Sequence, residues 1–373
     1  MGKKLTIAVL FGGRSGEHEV SLLSARSVLS VLDAEKYTIL QVALTKEGQW
    51  LSGPDALTAL ENGDLSGLRP VLFLPDAGNR TLYAVNWQGK TGTIEPLADV
   101  DVVFPVLHGT FGEDGTLQGF LEMADLAYVG AGVLGSAVGM DKGLFKSVMR
   151  ANGIPVLDWV VFNRKDIEAQ MPACLEQAEA LASYPLFVKP ANLGSSVGIS
   201  KVKSRADLLE GLMEAARFDR RVLVERGLDA REIEVSVMGN ERPTASLPGE
   251  IRPSDEFYTY AAKYLDDRSE LLPRAADLAP EQIAQIQSYA VQAYQLCDCA
   301  GLARVDFLME KQTGRIYLNE INTMPGFTKI SMYPKMWEAS GVSYMQLVER
   351  LIELALERKA ERDRTEHSYR RDA

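Results

Sequence analysis

Asp306, Glu320 and Asn322 offer the clearest chemistry in the chain: two carboxylates and an amide set in two β-like runs. The runs, Ala303–Glu310 and Arg315–Asn322, are joined by Lys311-Gln-Thr-Gly314. A hairpin closed around Thr313 sets Asp306 opposite Glu320 and Arg304 opposite Asn322, within one residue if Gly314 makes a bulge. Period-two alternation puts these four on one face and Val305, Phe307 and Ile321 on the other. Like charges set opposite one another repel, so a positive group belongs between them. Hard oxygen donors with room for water and phosphate suit Mg²⁺. The plainer alternative is a wet strand face on which Arg304 neutralises the acids.

Phosphate chemistry is written upstream. Lys189 ends the apolar run Leu186-Phe-Val188, and Gly194-Ser-Ser-Val-Gly198 follows, a loop of backbone donors and hydroxyls able to close over phosphate. Without a terminal Gly-Lys-Ser/Thr it is not a Walker A loop. Lys142, at the start of a helix, would add a second point charge to this cradle. Glu225 and Glu232 flank the connection Arg226–Arg231 and could accept from ribose hydroxyls, or be plain surface acids. Pro253–Leu265 is a long connection with four aromatics, among them Tyr264, around one lysine, Lys263. Such loops are more often lids than linkers.

Three further positions sit at strand ends. Gly12-Gly13-Arg-Ser-Gly16 has the wrong spacing for a dinucleotide fingerprint. It still aims backbone N–H groups and a positive helix end into a crevice. Glu17 lies at that helix mouth and could hold a ligand ammonium, whereas Glu19 reads as dipole compensation. His108 ends an apolar strand, either as a satisfied core histidine or as a cleft residue. Gly326, in Asn322-Thr-Met-Pro-Gly326, frees a backbone N–H for a developing oxyanion, and Ser331 and Met332 follow on the same connection.

The elements that must position these residues alternate at first. Leu5–Phe11, Tyr37–Thr45 and Val100–Leu107 read as buried strands, with helices beginning near Ser15 or Gly16 and near Thr116. That pattern predicts an open parallel α/β sheet with strand ends lining a crevice. Asp141 caps a helix that Gly153 and Pro155 stop. From Arg231 strands dominate (Glu232–Met238, Ala245–Ile251 and the hairpin), with helices over Pro280–Leu296 and Tyr344–Glu357. At 373 residues several domains are expected, and a net charge of −11 argues against nucleic acid and anionic membranes as partners. Three cysteines form no disulfide framework, and no signal peptide or spanning helix is evident, so a cytoplasmic setting fits.

The chain resembles the ATP-grasp D-alanine–D-alanine ligases over nearly its whole length. The matching stretches begin with Phe11-Gly-Gly-Arg-Ser-Gly-Glu-His-Glu-Val-Ser21, His108-Gly-Thr-Phe-Gly-Glu-Asp-Gly-Thr-Leu-Gln-Gly119 and Met140-Asp-Lys142. They continue with Val188-Lys-Pro-Ala-Asn-Leu-Gly-Ser-Ser-Val-Gly198, Ala262-Lys-Tyr264, Ala303-Arg-Val-Asp306 and Asn319-Glu-Ile-Asn-Thr-Met-Pro-Gly326. The resemblance implies an α/β (α+β) chain of ATP-grasp fold in three domains: an N-terminal open parallel sheet (1–130), a central subdomain with the glycine-rich loop (131–225), and a C-terminal subdomain with lid and metal site (226–373). It also implies ligation of two D-alanines through an acylphosphate, for peptidoglycan precursors. Asp306, Glu320 and Asn322 would bind two Mg²⁺ ions, with Mn²⁺ as an alternative. Lys142, Lys189, Ser196 and Lys263 would hold the ATP phosphates, and Glu225 and Glu232 its adenine and ribose. Glu17, near His108, would hold the first D-alanine's ammonium and, with Ser195 and Tyr264, keep the lid shut. Arg304 and Gly326 would stabilise the tetrahedral intermediate, and Ser331 and Met332 would shape the second subsite. A homodimer is implied by the resemblance alone. The alternative within it is a D-alanine–D-lactate ligase, in which the lid tyrosine is typically replaced; Tyr264 fits the dipeptide pattern. The other rival, a non-catalytic nucleotide-binding module, sits poorly with the intact acid, lysine and glycine sets.

Overall fold

The structure, a computed structural model, describes residues 4–194, 197–252, 269–328 and 330–366. Ser195, Ser196, Lys263, Tyr264 and the expected lid segment lie outside the described residues.

The first unit contains β1 (Leu5–Gly12), α1 (His18–Leu29), β2 (Tyr37–Leu44), β3 (Trp50–Ser52), α2 (Ala56–Asn62), β4 (Arg69–Phe73), β5 (Thr81–Gln88), β6 (Thr91–Asp99), β7 (Val102–Val106) and α3 (Thr116–Met123), and α4 (Val133–Met140) leads on into the second. Its seven strands run in the order β6-β5-β4-β3-β2-β1-β7. β1 lies parallel to β2 and β7, as the apolar runs predict. β3 to β6 extend the sheet by antiparallel pairings, so only its β2-β1-β7 end is parallel. β1 and β7 are buried on both faces, which is why they read as continuous apolar runs, whereas β2 is continuously buried only over its last three residues.

A second unit comprises α5 (Lys142–Ala151), β8 (Trp159–Asn163), α6 (Arg164–Glu179), β9 (Leu186–Pro190), β10 (Ser200–Val202), α7 (Arg205–Phe218) and β11 (Arg221–Arg226). Its four strands form an antiparallel sheet, β10-β9-β11-β8, with a core shared by α6 and α7. The third unit holds β12 (Ala230–Gly239), β13 (Thr244–Ala245), β14 (Gly249–Arg252), β15 (Glu270–Leu272), α8 (Pro280–Leu296), β16 (Gly301–Glu310), β17 (Ile316–Asn322), α9 (Met332–Ala339) and α10 (Tyr344–Arg362). Its sheet runs β15-β14-β12-β16-β17, with β13 paired to β12. The single strand expected over Ala245–Ile251 divides into β13 and β14 around Pro248, which has no N–H to donate.

The last helix returns to the start of the chain. Leu347, Val348, Leu351, Ile352 and Ala355 of α10 share one core with Ile7, Val9, Phe104 and Val106. At its far end Arg358 and Arg362 both pair with Glu122 of α3. Phe327, just beyond the hairpin, is fully buried in the same core, edge-on to Phe104 at 6.0 Å and tilted against Tyr333 at 5.6 Å. Phe327→Ala is therefore expected to lower the unfolding free energy by about 3–5 kcal/mol in a denaturant titration. A loss under about 1 kcal/mol would show that this contact does not join the first unit to the third.

Candidate active site

The hairpin is built largely as its alternation predicts. Arg304 pairs with Asn322, and Asp306 with Glu320, but the turn-side half runs one residue out of step, pairing Phe307 with Leu318 and Met309 with Ile316. The extra residue, expected at Gly314, is Asn319 in β17. Gly314, at φ +69°, instead helps close the loop, donating its N–H to the Glu310 carbonyl at 2.8 Å. Val305, Phe307 and Ile321 face the core, while Arg304, Asp306, Glu320 and Asn322 share the open face.

On that face the positive group is Arg304. Its Nε and Nη2 donate to the two oxygens of Asp306, each at 2.7 Å, and Nε also lies 3.2 Å from Glu234 on β12. Burial disfavours the guanidinium's charge, but Asp306 and Glu234 outweigh it and hold the Arg304 pKa well above its ordinary value. Asn322 donates Nδ2 to Asp306 at 3.0 Å, which turns its amide oxygen away from that carboxylate. Lys142 Nζ lies 3.6 Å from Glu320. Two carboxylates and an amide oxygen are the hard donors a divalent cation takes, so the set fits one, with Arg304 as the charge it would exchange with.

The opposite wall comes from the second unit. Asp141 caps α5 by accepting from the Leu144 N–H at 2.9 Å, and the i, i+4 spacing places Lys142 and Lys146 on one face of that helix. Lys142 donates to the Leu193 carbonyl at 2.7 Å, at the root of the glycine-rich loop. Lys189 on β9 hydrogen-bonds Glu225 on β11, and Lys146 lies 3.0 Å from the other oxygen of Glu225. Burial alone would raise the Glu225 pKa, yet the two lysines bring it down to about 2. For Lys146 burial wins and lowers its pKa; for Lys189 the charges of Glu225, Glu320 and Glu232 win and raise it.

Glu17, His108 and Glu113 close the cleft from the first unit, with their ligand atoms all within 4.8 Å of one another. The Glu17 carboxylate does not cap its own helix. It abuts Gly194, where a Cβ would overlap Oε1, so the loop's glycine permits that approach. His108 is a clamp: Nδ1 lies 2.9 Å from the Met324 carbonyl and Nε2 2.9 Å from the Ser24 hydroxyl. A carbonyl only accepts, so Nδ1 carries the proton and Nε2 accepts. Burial lowers the His108 pKa and keeps the ring neutral. Both nitrogens are thus engaged, and His108 lines the cleft by shape, which also removes it as a metal ligand. Glu113 accepts from the Gly109 N–H at 2.7 Å and the Met324 N–H at 3.0 Å; burial, then the charge of Glu17, pushes its carboxyl up to about 8.

Glu17, His108, Arg304, Glu320, Asn322, Gly326, Ser331 and Met332 all line one cavity of about 90 Å³. Lys142 lies in the adjoining one, which shares Glu113, Gly194, Glu320 and Asn322 with it. Lys189 and Glu225 stand behind, with Glu232 near enough to act on the charge of Lys189. A larger cleft of about 620 Å³ lies on the first sheet, but its lining (Trp50, Val71, Phe73, Trp87, Phe120) carries no titratable group. Sequence reasoning passed over Lys146, Glu113 and Glu234. The first had a usable signal in its spacing from Lys142, and Glu234 lies opposite Asp306 in the β12–β16 register.

Comparison with known proteins points to one family. The family described as "D-ala D-ala ligase N-terminus" matches residues 6–131, and "D-ala D-ala ligase C-terminus" matches residues 148–353. A D-alanine--D-alanine ligase of Natranaerobius thermophilus is 47% identical over 98% of this chain and 99% of its own. One of Thermoanaerobacter pseudethanolicus is 50% identical over 97% and 99%. Among solved structures, the D-alanine-D-alanine ligase from Coxiella burnetii superposes with a TM-score of 0.81 at 39% identity, covering 97% of both chains. The VanG D-Ala:D-Ser ligase from Enterococcus faecalis gives 0.83 at 34% identity, covering 95% of this chain and 100% of its own.

Two outcomes follow from the charges. Asp306→Asn leaves Arg304 paired with Glu234, so ligand-free stability should fall by only about 1–2 kcal/mol. Metal-dependent turnover should fall by about 100-fold or more. Melting and turnover that collapse together would make Asp306 a structural ion-pair partner only. Glu225, with its pKa depressed from 4.5 to about 2, contributes stability that is present above pH 4.5 and lost as pH falls through 2, on the order of 3 kcal/mol. Acid titration of unfolding should show this loss in the wild type, and Glu225→Gln, less stable at neutral pH, should lose correspondingly less.

Proposed function

The chain belongs to the D-alanine–D-alanine ligase family, and we propose that it joins two D-alanine molecules into D-alanyl-D-alanine while converting ATP to ADP and phosphate. One observation carries the proposal: a strand face of acids and Arg304 opposes a wall of buried lysines, with an acidic mouth at Glu17 between them. The fold is the mixed α/β ATP-grasp arrangement. On this reading the first unit (1–130) holds the first amino acid, and the central (131–225) and C-terminal (226–373) units grip the nucleotide.

The reaction starts from a carboxylate, a poor electrophile. An oxygen of the first D-alanine attacks the γ-phosphorus of ATP; the new O–P bond forms as the bond to ADP breaks, leaving an acylphosphate. The amine of the second D-alanine then attacks the acyl carbon. The C–N bond forms as phosphate leaves with the C–O electrons, and the amine's proton passes to the departing phosphate. Glu17 receives the first substrate's ammonium, and His108 shapes that subsite by fixing Met324. Arg304 and the Gly326 N–H face the oxyanion, while Ser331 and Met332 border the second subsite. Lys142 and Lys189 orient the phosphates, assisted by Ser196 and Lys263, and Glu225 and Glu232 take the adenine and ribose. Ser195 and Tyr264 would join Glu17 in holding the lid; the sequence pattern supports these four roles.

Asp306, Glu320 and Asn322 would hold Mg²⁺, two ions by resemblance, with Mn²⁺ as the alternative. When bound, a divalent cation offsets the phosphate charge during transfer. The product is a peptidoglycan precursor. A cytoplasmic homodimer is the state we propose, and among the described residues no helix is long and apolar enough to cross a membrane.

ADP release measured with magnesium across D-alanine, L-alanine, D-serine and D-lactate tests this. D-Alanine alone should give rapid ADP release and the dipeptide. No ADP release would sink the proposal, and depsipeptide as the main product near neutral pH would overturn the choice of acceptor.

A further inference from the structure

Three charges meet behind the phosphate wall, and only two of them have a part in the reaction as proposed. Glu225 is 2% exposed and stands between two ammonium groups, Lys146 and Lys189. One carboxylate needs one counter-ion, so the cluster carries a surplus positive charge, and exposure shows which lysine is the spare. Lys146 is 1% exposed, anchored on α5, and shut off from the cleft. Lys189 is 10% exposed and ends β9 where the glycine-rich loop begins. Lys146 Nζ and Glu225 Oε2 are 3.0 Å apart but poorly aligned, and neither makes a hydrogen bond among the described residues.

We propose that Lys146 is a positioning residue, the permanent counter-charge that keeps Glu225 ionised and aimed while Lys189 turns from Glu225 to the nucleotide. Without Lys146, releasing Lys189 would strand a carboxylate in a dry interior, a state that proteins avoid. With it, the exchange leaves every buried charge paired. The depressed pKa of Glu225, brought down by both lysines against its burial, agrees with that arrangement. This inference rests on the reading of the cleft as an ATP site.

The test uses the full-length protein and steady-state ADP release. Lys146→Met leaves Glu225 and Lys189 as a neutral pair, so melting temperature should hold or rise. Lys189 is then no longer spare, and KM for ATP should rise about 10- to 100-fold, the worth of one charge-assisted hydrogen bond. KM for D-alanine and kcat at saturating ATP should change little. An unfolded Lys146→Met or an unchanged KM for ATP overturns the inference. Wild-type protein that forms no ADP with D-alanine overturns the ATP-site reading instead, which separates the two failures.

Discussion

Glu225 between Lys146 and Lys189 shows the constraint under which the whole cleft is built. A carboxylate or ammonium taken out of water must meet an opposite charge at close range, or it will be neutral. Arg304 meets Asp306 and Glu234, and Lys142 stands by Glu320 and the Leu193 carbonyl. The elements follow from these pairings. Helix α5 has to run with Lys142 and Lys146 toward the sheet, and β9 and β11 have to sit side by side so that Lys189 reaches Glu225. In the third unit, β12 and β16 must align for Arg304 to reach Glu234 as well as Asp306, and β17 must align with β16 for Asn322 to reach Asp306. The bulge at Asn319 restores that alignment after the turn has set the strands one residue out of step.

Charges stored this way suit a triphosphate and its cations. A ligand-free site with loose lysines would unfold locally or bind stray anions; this one keeps its cations on its own acids. Binding becomes an exchange of partners in which little buried charge is created or destroyed. The apolar parts support it. The Met324–Phe327 turn, which carries Gly326, is gripped by first-unit residues: His108 and Glu113 hold the Met324 backbone, Ser24 accepts from the Phe327 N–H, and the Phe327 ring enters the first core. The oxyanion-facing glycine belongs to the third unit in sequence and to the first in mechanics.

The hairpin was legible because alternation, a short polar turn and two apolar flanks all point to one register. The helix over Pro280–Leu296 was legible from proline at its first position, and the one at Thr116–Met123 from its apolar spacing. The antiparallel extension β3 to β6 was not. β3 has three residues and β6 is almost wholly exposed, so neither presents the apolar signal of a strand. Docking of α10 on the first sheet is a contact between the two ends of the chain, and no local pattern encodes it. Lys146 escaped notice because a lysine on an amphipathic helix ordinarily faces water. Glu113 escaped because an acid among glycines ordinarily serves a turn. Both are buried through tertiary packing that composition does not show.

The acidic mouth completes the argument on charge. Glu17 and Glu113 lie side by side with a neutral His108, and burial together with the charge of Glu17 already pushes Glu113 up to about 8. Glu113 therefore resists ionising beside Glu17 unless a positive group comes between or beside them. Arg304 helps only at a distance, because Asp306 and Glu234 occupy it. A substrate ammonium is the group that fits: it can lie against Glu17 while its own carboxylate turns toward Arg304 and the phosphate wall. A plain carboxylic acid would meet the mouth with the wrong charge, and a plain amine would leave Arg304 with nothing to exchange. On the proposed reading, the cleft selects a zwitterion first because its acidic mouth takes a positive group a few ångströms from an arginine that can exchange its own acids for a carboxylate.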